Sequence, residues 1–364
     1  MHKTFHFPQM HVSQRGDMPQ AKTWLFRLLA IVGALLMGAL FLLCLGYNPL
    51  YVYGTLIEGA LGTVSMQKET IKIAIPLCIT ALGITLAFKM KFWNIGAEGQ
   101  IAMGAIAASY FAYFHGTWPS YLLIPVMMLV SVVVGGLFGL IPAIFKVKFG
   151  TNETLFTLML NYIALYIIQF LREGPWRDPA GGFAAMPRFP KSARLPFANF
   201  PFIGNIHMGW IVALVLVVLV FVYLRFTKQG YELNVVGENM RTAQYSGMPV
   251  NKIILRTMFL SAGICGLAGM VQVAGVDKQL TETVAGGRGF TAISVAWLAR
   301  LSPFGILVVA FMFSVLEKGC SKIETVYRIP ASMSDILTGI ILFFVLGAEF
   351  FIQYKIAFRK EEKL

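Results

Sequence analysis

Charge is scarce in this chain. Only 13% of its 364 residues are Asp, Glu, Lys or Arg, about half the share of an ordinary soluble domain. That deficit excludes a fully solvated surface. The 57% hydrophobic content and mean hydropathy of +0.71 point instead to a polytopic membrane protein. Other absences narrow the function. No G-x-x-x-x-G-K-[ST] occurs, so the chain carries no P-loop for ATP. No H-E-x-x-H and no Ser/His/Asp or Cys/His set with a family-type local sequence occurs either, which argues against enzymatic chemistry. Cys44, Cys78 and Cys265 lie within apolar runs, Cys320 just after one, and there is no C-x-x-C. They read as small buried hydrophobes and give no redox information. His2, His6, His11, His115 and His207 are scattered, which excludes a metal site built on clustered ligands.

The net charge of +13 raises the question of nucleic acid. The basic residues form no single patch. They fall in short groups between apolar runs, as the positive-inside rule demands, so no nucleic-acid partner is expected. Acidic residues in or near the apolar runs are few: Glu98, Glu153, Glu317, Asp335 and Glu349. Of these only Glu98 lies well inside a run. Proton-coupled carriers tend to carry chains of intramembrane acids. Self-powered transport is therefore weaker as a reading than transport driven from outside, and a secondary carrier or channel stands as the alternative class.

A membrane span needs about 20 apolar residues. Clear candidates are 28–46, 71–88, 120–145, 154–171, 208–224, 254–275 and 334–354, with less regular ones at 93–114, 289–301 and 303–317. The first run is longer than the core of a signal peptide and no small-x-small site follows it, so an uncleaved span is expected. Lys3, Arg15, Lys22 and Arg27 place the tail 1–27 in the cytoplasm. Ten crossings would put Lys89/Lys91, Lys146/Lys148, the 225–252 loop and the tail 355–364 there too. Segment 289–301 is too short to cross alone and reads as a half-helix. The fold expected is all-α: a polytopic helical bundle of eight to ten spans over 28–354, with interrupted helices in two related halves.

Those interruptions are "FWNIGAEGQIAMG" (92–104) and "AGGRGFTAISVAWLARLSPFG" (285–305). Irregular backbone at membrane depth must be packed inside protein or line a cavity. Paired interrupted segments point to a transport pathway built from two repeats. The glycines alone fit ordinary small-residue helix packing equally well. Glu98 favours function, because a carboxylate at mid-helix costs about 2.5–3.5 kcal/mol on insertion scales and needs an offset by pairing, hydrogen bonding or water.

Two loops are long. Residues 172–207 are expected outside the membrane, with Pro175, Pro179, Pro187, Pro190, Pro196 and Pro201 limiting helix. An ordered irregular cap follows, either a docking surface or a plain connector. Residues 225–252 are expected in the cytoplasm. There Asn239 can cap a short helix over 240–246, Gly247 suits the left-handed position after it, and Pro249 blocks continuation. Such a helix is about 10 Å long and reads as a partner-binding element or as a surface helix with no partner.

The stretch "FWNIGAEGQIAMGA" resembles the N-I-G-A-E-G-Q signature of bacterial ABC-importer permeases for nucleosides, relatives of the branched-chain amino acid and ribose permeases. Three further blocks are similar in order and spacing: "TNETLFTLMLNYIA" (151–164), "ELNVVGENMRTAQYSGM" (232–248) and "GRGFTAISVAWLARLSPFGI" (287–306). The similarity runs from about residue 45 onward. Gln244 stands where a second Ala or a similar small residue is usual, and Trp297 where Ala or Leu is usual. The resemblance implies a permease subunit of the bacterial cytoplasmic membrane, surrounded by lipid. A cytoplasmic ABC ATPase would bind the ATP, so no cofactor belongs to this chain. A second permease subunit, the same or different, would complete the pathway, and an extracytoplasmic binding lipoprotein would deliver a nucleoside. A sugar or a branched-chain amino acid is the alternative cargo. The pathway would be built from Asn94, Gly96, Glu98, Gly99, Gln100, Asn161, Gly289, Phe290 and Trp297. Glu98 would pair across helices, and Phe290 and Trp297 would stack on a base or close the path. The ATPase would be coupled through Gly237, Glu238, Asn239, Ala243 and Gly247.

Overall fold

A computed structural model describes residues 9–14, 19–178, 186–200 and 203–359. In chain order they form β1 (Gln9–Gln14), α1 (Gln20–Cys44), α2 (Pro49–Leu61), α3 (Val64–Lys89), α4 (Ala97–Phe114), α5 (Ser120–Phe149) and α6 (Glu153–Glu173). The strands β2 (Phe197–Phe200) and β3 (Gly204–His207) follow. Then come α7 (Gly209–Phe226), α8 (Lys228–Glu238), α9 (Met240–Tyr245), α10 (Val250–Val271), α11 (Arg288–Leu298), α12 (Pro303–Tyr327), α13 (Ala331–Gln353) and β4 (Tyr354–Arg359). The fold is a polytopic helical membrane bundle. Among the described residues α3, α5, α6, α7, α12 and the segment Val250–Asp277 are each long and apolar enough to span, and Leu28–Cys44 with Pro49–Leu61 passes as a pair bent by 115°.

The chain divides into two compact units, residues 60–318 and residues 1–59 with 319–364. In the larger unit α10 packs against α3, α4 and α5. Small residues make this possible. A methyl group on Gly83 would stand 2.7 Å from the Ser261 carbonyl, and one on Gly104 would overlap the Gly266 backbone. With no strong hydrophobic drive between helices in lipid, such close backbone approach lets dispersion hold them. Ser131 Oγ donates to the Gly104 carbonyl at 2.9 Å and Ser261 Oγ to the Gly83 carbonyl at 2.7 Å, tying the same helices by hydrogen bonds. In the smaller unit α1 packs on α13 and β1 pairs antiparallel with β4, from Gln9 opposite Arg359 to Gln14 opposite Tyr354.

Several boundaries differ from the sequence reading. Helix α1 begins at Gln20, so the basic stretch before residue 28 is partly helical, and 355–359 is a strand. The helix α2, in a stretch assigned to no candidate span, starts at Pro49, a residue suited to a first helical position, with the Asn48 side chain accepting from the Leu50 N–H at 3.1 Å. Helix α12 runs ten residues past the expected 317. The 225–252 loop contains α8, capped by Thr227, whose Oγ1 accepts from the Gly230 N–H at 3.0 Å. The 172–207 segment carries the β2–β3 hairpin; Pro179 and Pro201 lie outside the described residues. Finally, α10 continues as a π-helix over Gln272–Asp277.

Candidate functional site

The first interruption starts where α3 ends. Lys91 takes the left-handed conformation at φ 57°, and the N–H of Phe92 returns to the Ala87 carbonyl at 3.0 Å. That closes the last turn of α3. The irregular backbone up to α4 is then held by three buried carboxamides. Asn94 and Gln100 exchange hydrogen bonds, Nδ2 to Oε1 at 3.1 Å and Nε2 to Oδ1 at 3.0 Å. Asn94 Oδ1 also accepts from the Gly96 N–H at 3.0 Å. From α6, Asn161 Oδ1 accepts from the Gly99 N–H at 2.8 Å while its Nδ2 donates to the Ile95 carbonyl at 2.9 Å. Thr157 Oγ1 takes the Ile95 N–H at 3.2 Å. A helix start needs partners for its first N–H groups, and here side chains two helices apart supply them. Asn94, Gln100 and Asn161 are buried and committed to this frame. Gly96 and Gly99 let α4 lie on α6: a methyl on either would stand 3.0 Å from Thr157 Cβ or Asn161 Cα.

Glu98 points the other way, toward the second interruption. Its Oε2 accepts from the Gly289 N–H at 3.3 Å. Glu98 thus sits at the N-terminus of α11, where the helix dipole favours a negative charge, and Arg288 acts on the same carboxylate electrostatically. The chain reaches this point through Gly286 and Gly287, at φ +54° and +77°, a conformation glycine adopts without strain. Gly289 has no room for a side chain, since a methyl there would stand 2.9 Å from Glu98 Cγ. The two interrupted segments therefore meet, and seven of the nine predicted pathway residues form this buried junction.

Phe290 and Trp297 lie elsewhere. Helix α11 has only 11 residues, about 16 Å, too short to span. It buries Gly289, Ala292, Val295 and Ala296. Phe290 and Trp297, seven positions apart and so on one helical face, are 46% and 39% exposed. Trp297 stacks on Trp93 with centroids 5.8 Å apart and planes at 24°, and Phe88 completes the cluster 5.8 Å from Trp297. The sequence reading missed Trp93, although it stands inside the opening of the first interruption. It also missed Thr157 and Arg288.

The short helix α9 is capped as its sequence indicates. Asn239 Oδ1 accepts from the N–H groups of Arg241 and Thr242 at 3.0 and 3.2 Å, and Gly247 follows at φ +76°. The five residues marked for coupling divide in two. Gly237 and Ala243 are buried; a methyl on Gly237 would overlap the Lys89 carbonyl, so α8 rests on the end of α3. Glu238, Asn239 and Gly247 are exposed, as are Met240, Arg241, Gln244 and Tyr245, the last at 92%. Gly237 and Ala243 therefore hold the loop against the bundle, and their neighbours present its outer face.

On the 172–207 side, Arg172 pairs with Glu282 at 2.8 Å beside a cavity of about 210 Å³ lined also by Met186, Gln279, Thr281 and Thr283. His207 is fully buried and accepts from the Gly209 N–H through Nδ1 at 3.3 Å. Burial pushes its pKa down to about 4, with Lys72 adding to the shift and Glu69 opposing it. Among the described residues no group of three or more His, Cys, Asp and Glu is placed to hold a metal.

Comparison with known proteins accords with this architecture. The chain is 32% identical over 324 residues to a guanosine ABC transporter permease protein of Bacillus subtilis, covering 88% of this chain and 92% of that one. It is 31% identical over 329 residues to a nucleoside ABC transporter permease protein of Lactococcus lactis, covering 87% and 89%. It is 29% identical over 356 residues to a glucose ABC transporter permease protein of Haloferax volcanii, covering 96% and 93%. No solved structure matches. The family described as the permease component of the branched-chain amino acid transport system matches residues 66–346, and the chain belongs to that family.

Proposed function

We propose that this permease moves nucleosides inward across a bacterial cytoplasmic membrane, driven by a separate ABC ATPase and supplied by an extracytoplasmic binding lipoprotein. The observation that carries the reading is the junction of Glu98 with the start of α11, which leaves the half-helix with an aromatic face uncovered in the single chain. A pathway between two permease subunits would be lined by such a face. Phe290 and Trp297 offer flat apolar surfaces to a base, and the Glu98 carboxylate is already engaged by the Gly289 N–H, with Arg288 acting on it. The exposed side of α9 would seat in the ATPase. Nucleoside cargo is favoured by the two nucleoside relatives; a sugar is the second reading, favoured by the glucose relative, which covers more of this chain.

The test is uptake of labelled guanosine and labelled glucose into proteoliposomes holding this permease with its partner permease, ATPase and binding protein. ATP-dependent accumulation of guanosine, competed by other nucleosides and not by glucose, is expected. Glucose accumulation alone would transfer the reading to sugars, and uptake driven by an ion gradient without ATP would remove the ABC mechanism.

A further inference from the structure

The stacked pair Trp93 and Trp297 is more than part of an aromatic surface. It joins the two interrupted segments at a second point, at the opposite end of α11 from the Glu98–Gly289 contact. Each ring lies close to a turn built in an unusual way. Two residues before Trp93, Lys91 is left-handed at φ 57°; three residues after Trp297, Arg300 and Leu301 are left-handed at φ 52° and 54°. Glycine is the unstrained residue for such positions, and non-glycine residues in them gather at switch regions. The same turn that carries Trp93 touches the coupling loop. Gly237 of α8 lies directly on the Lys89 carbonyl, and Lys91 Nζ donates to the Glu238 carbonyl at 3.4 Å. Lys89, Lys91, Lys228 and Arg241 all lie in stretches expected on the cytoplasmic side.

We propose that Trp93 and Trp297 form this subunit's share of the cytoplasmic gate, facing the pathway between the two permeases, and that the turn 88–91 transmits movement of the coupling loop to it. In the closed form the indoles stack on each other. When the ATPase pulls on α8 and α9, the Lys89–Lys91 turn shifts, Trp93 parts from Trp297, and the cargo leaves past two flat faces. This rests on the transport reading above. It adds Trp93, a gating residue that a contact list for cargo would not contain, since Trp93 lies on no helix of its own and joins the pathway only through its partner ring.

The experiment compares the wild-type importer with Trp93→Ala and Trp93→Phe in proteoliposomes. ATP hydrolysis, ATP-driven accumulation and passive leak of preloaded cargo are measured side by side. An open gate wastes the gradient without silencing the motor. Trp93→Ala is therefore expected to keep ATP hydrolysis within twofold, lower accumulation at least fivefold and raise the ATP-independent leak, with Trp93→Phe recovering more than half of the accumulation. Wild-type accumulation and leak in Trp93→Ala would overturn the gate. So would a parallel loss of hydrolysis and uptake that Phe does not repair, because that is the signature of a merely structural tryptophan. Failure of the nucleoside reading shows separately, as a wild-type importer that accumulates glucose and not guanosine; the same three measurements with glucose then decide the gate.

Discussion

The carboxylate of Glu98 on α4 and the N–H of Gly289 on α11, 191 positions apart in sequence, share a 3.3 Å hydrogen bond. A charge that would be costly in lipid is placed against the positive end of a short helix and near Arg288. Glu98→Gln keeps a carbonyl oxygen for the Gly289 N–H and loses the charge. We expect a loss of about 0.3–1 kcal/mol and reduced turnover. Glu98→Ala also removes the acceptor and should lower the melting temperature in detergent further than Gln does. Equal melting temperatures for the two variants would sink this account.

The carboxamide frame predicts large structural effects from small polar deletions. Asn94→Ala strips a partner from Gln100 and from the Gly96 N–H, and Asn161→Ala strips one from Gly99 and from Ile95. A buried group left without a partner costs about 1–3 kcal/mol. Each variant should be less stable by that order in a thermal unfolding series, with cargo affinity of the surviving protein unchanged. A variant that stays fully stable while cargo affinity falls would place the carboxamides in the pathway itself.

Coupling residues should separate by burial. Tyr245→Ala and Arg241→Glu change exposed positions of α9, where folding effects stay within about 0.5 kcal/mol. They should weaken co-purification of the ATPase several-fold. Ala243→Leu overfills a buried site and should cost about 1–3 kcal/mol of stability before any coupling is measured. Full ATPase capture by Tyr245→Ala and Arg241→Glu would move the docking face off α9.

His207 supplies a pH dependence. Its folded pKa of about 4 lies below the ordinary 6.5, so the folded protein favours the neutral ring. Its contribution is complete above about pH 6.5 and is lost as pH falls toward 4, at about 1.4 kcal/mol per unit. Hydrogen exchange of the β2–β3 hairpin should accelerate over that window, and His207→Gln should flatten the response. Exchange that speeds up equally in the variant would assign the effect to another group.

Much of this was legible in the sequence. Glu98 stood out because charge is rare in the spans, and the cap and stop of α9 are local chemistry. Local signals also located both interruptions. Pairing was not legible: nothing in 92–104 names Gly289 as the partner of Glu98, because that contact is set by how α4 and α11 pack. Burial was hidden for the same reason, so Gly237 and Ala243 read as a coupling surface although they face the bundle. Helix α8 escaped because a polar, weakly amphipathic stretch resembles a loop until Thr227 is seen capping it. Trp93 was invisible as a functional residue because its partner ring is 204 positions away.

The pairing of α1 with α13 and of β1 with β4 has a consequence for biosynthesis. The ribosome delivers α1 to the bilayer well before α13, so the surfaces that cover it emerge only after the intervening helices. Gly33 of α1, where an added methyl would stand only 3.0 Å from the Phe344 ring, finds its neighbour after some 300 intervening residues have been made. Through that interval the helix must wait in lipid, or be sheltered by an insertion factor. Closure of this unit therefore waits for α13, and a chain halted before it would leave α1 without its native cover.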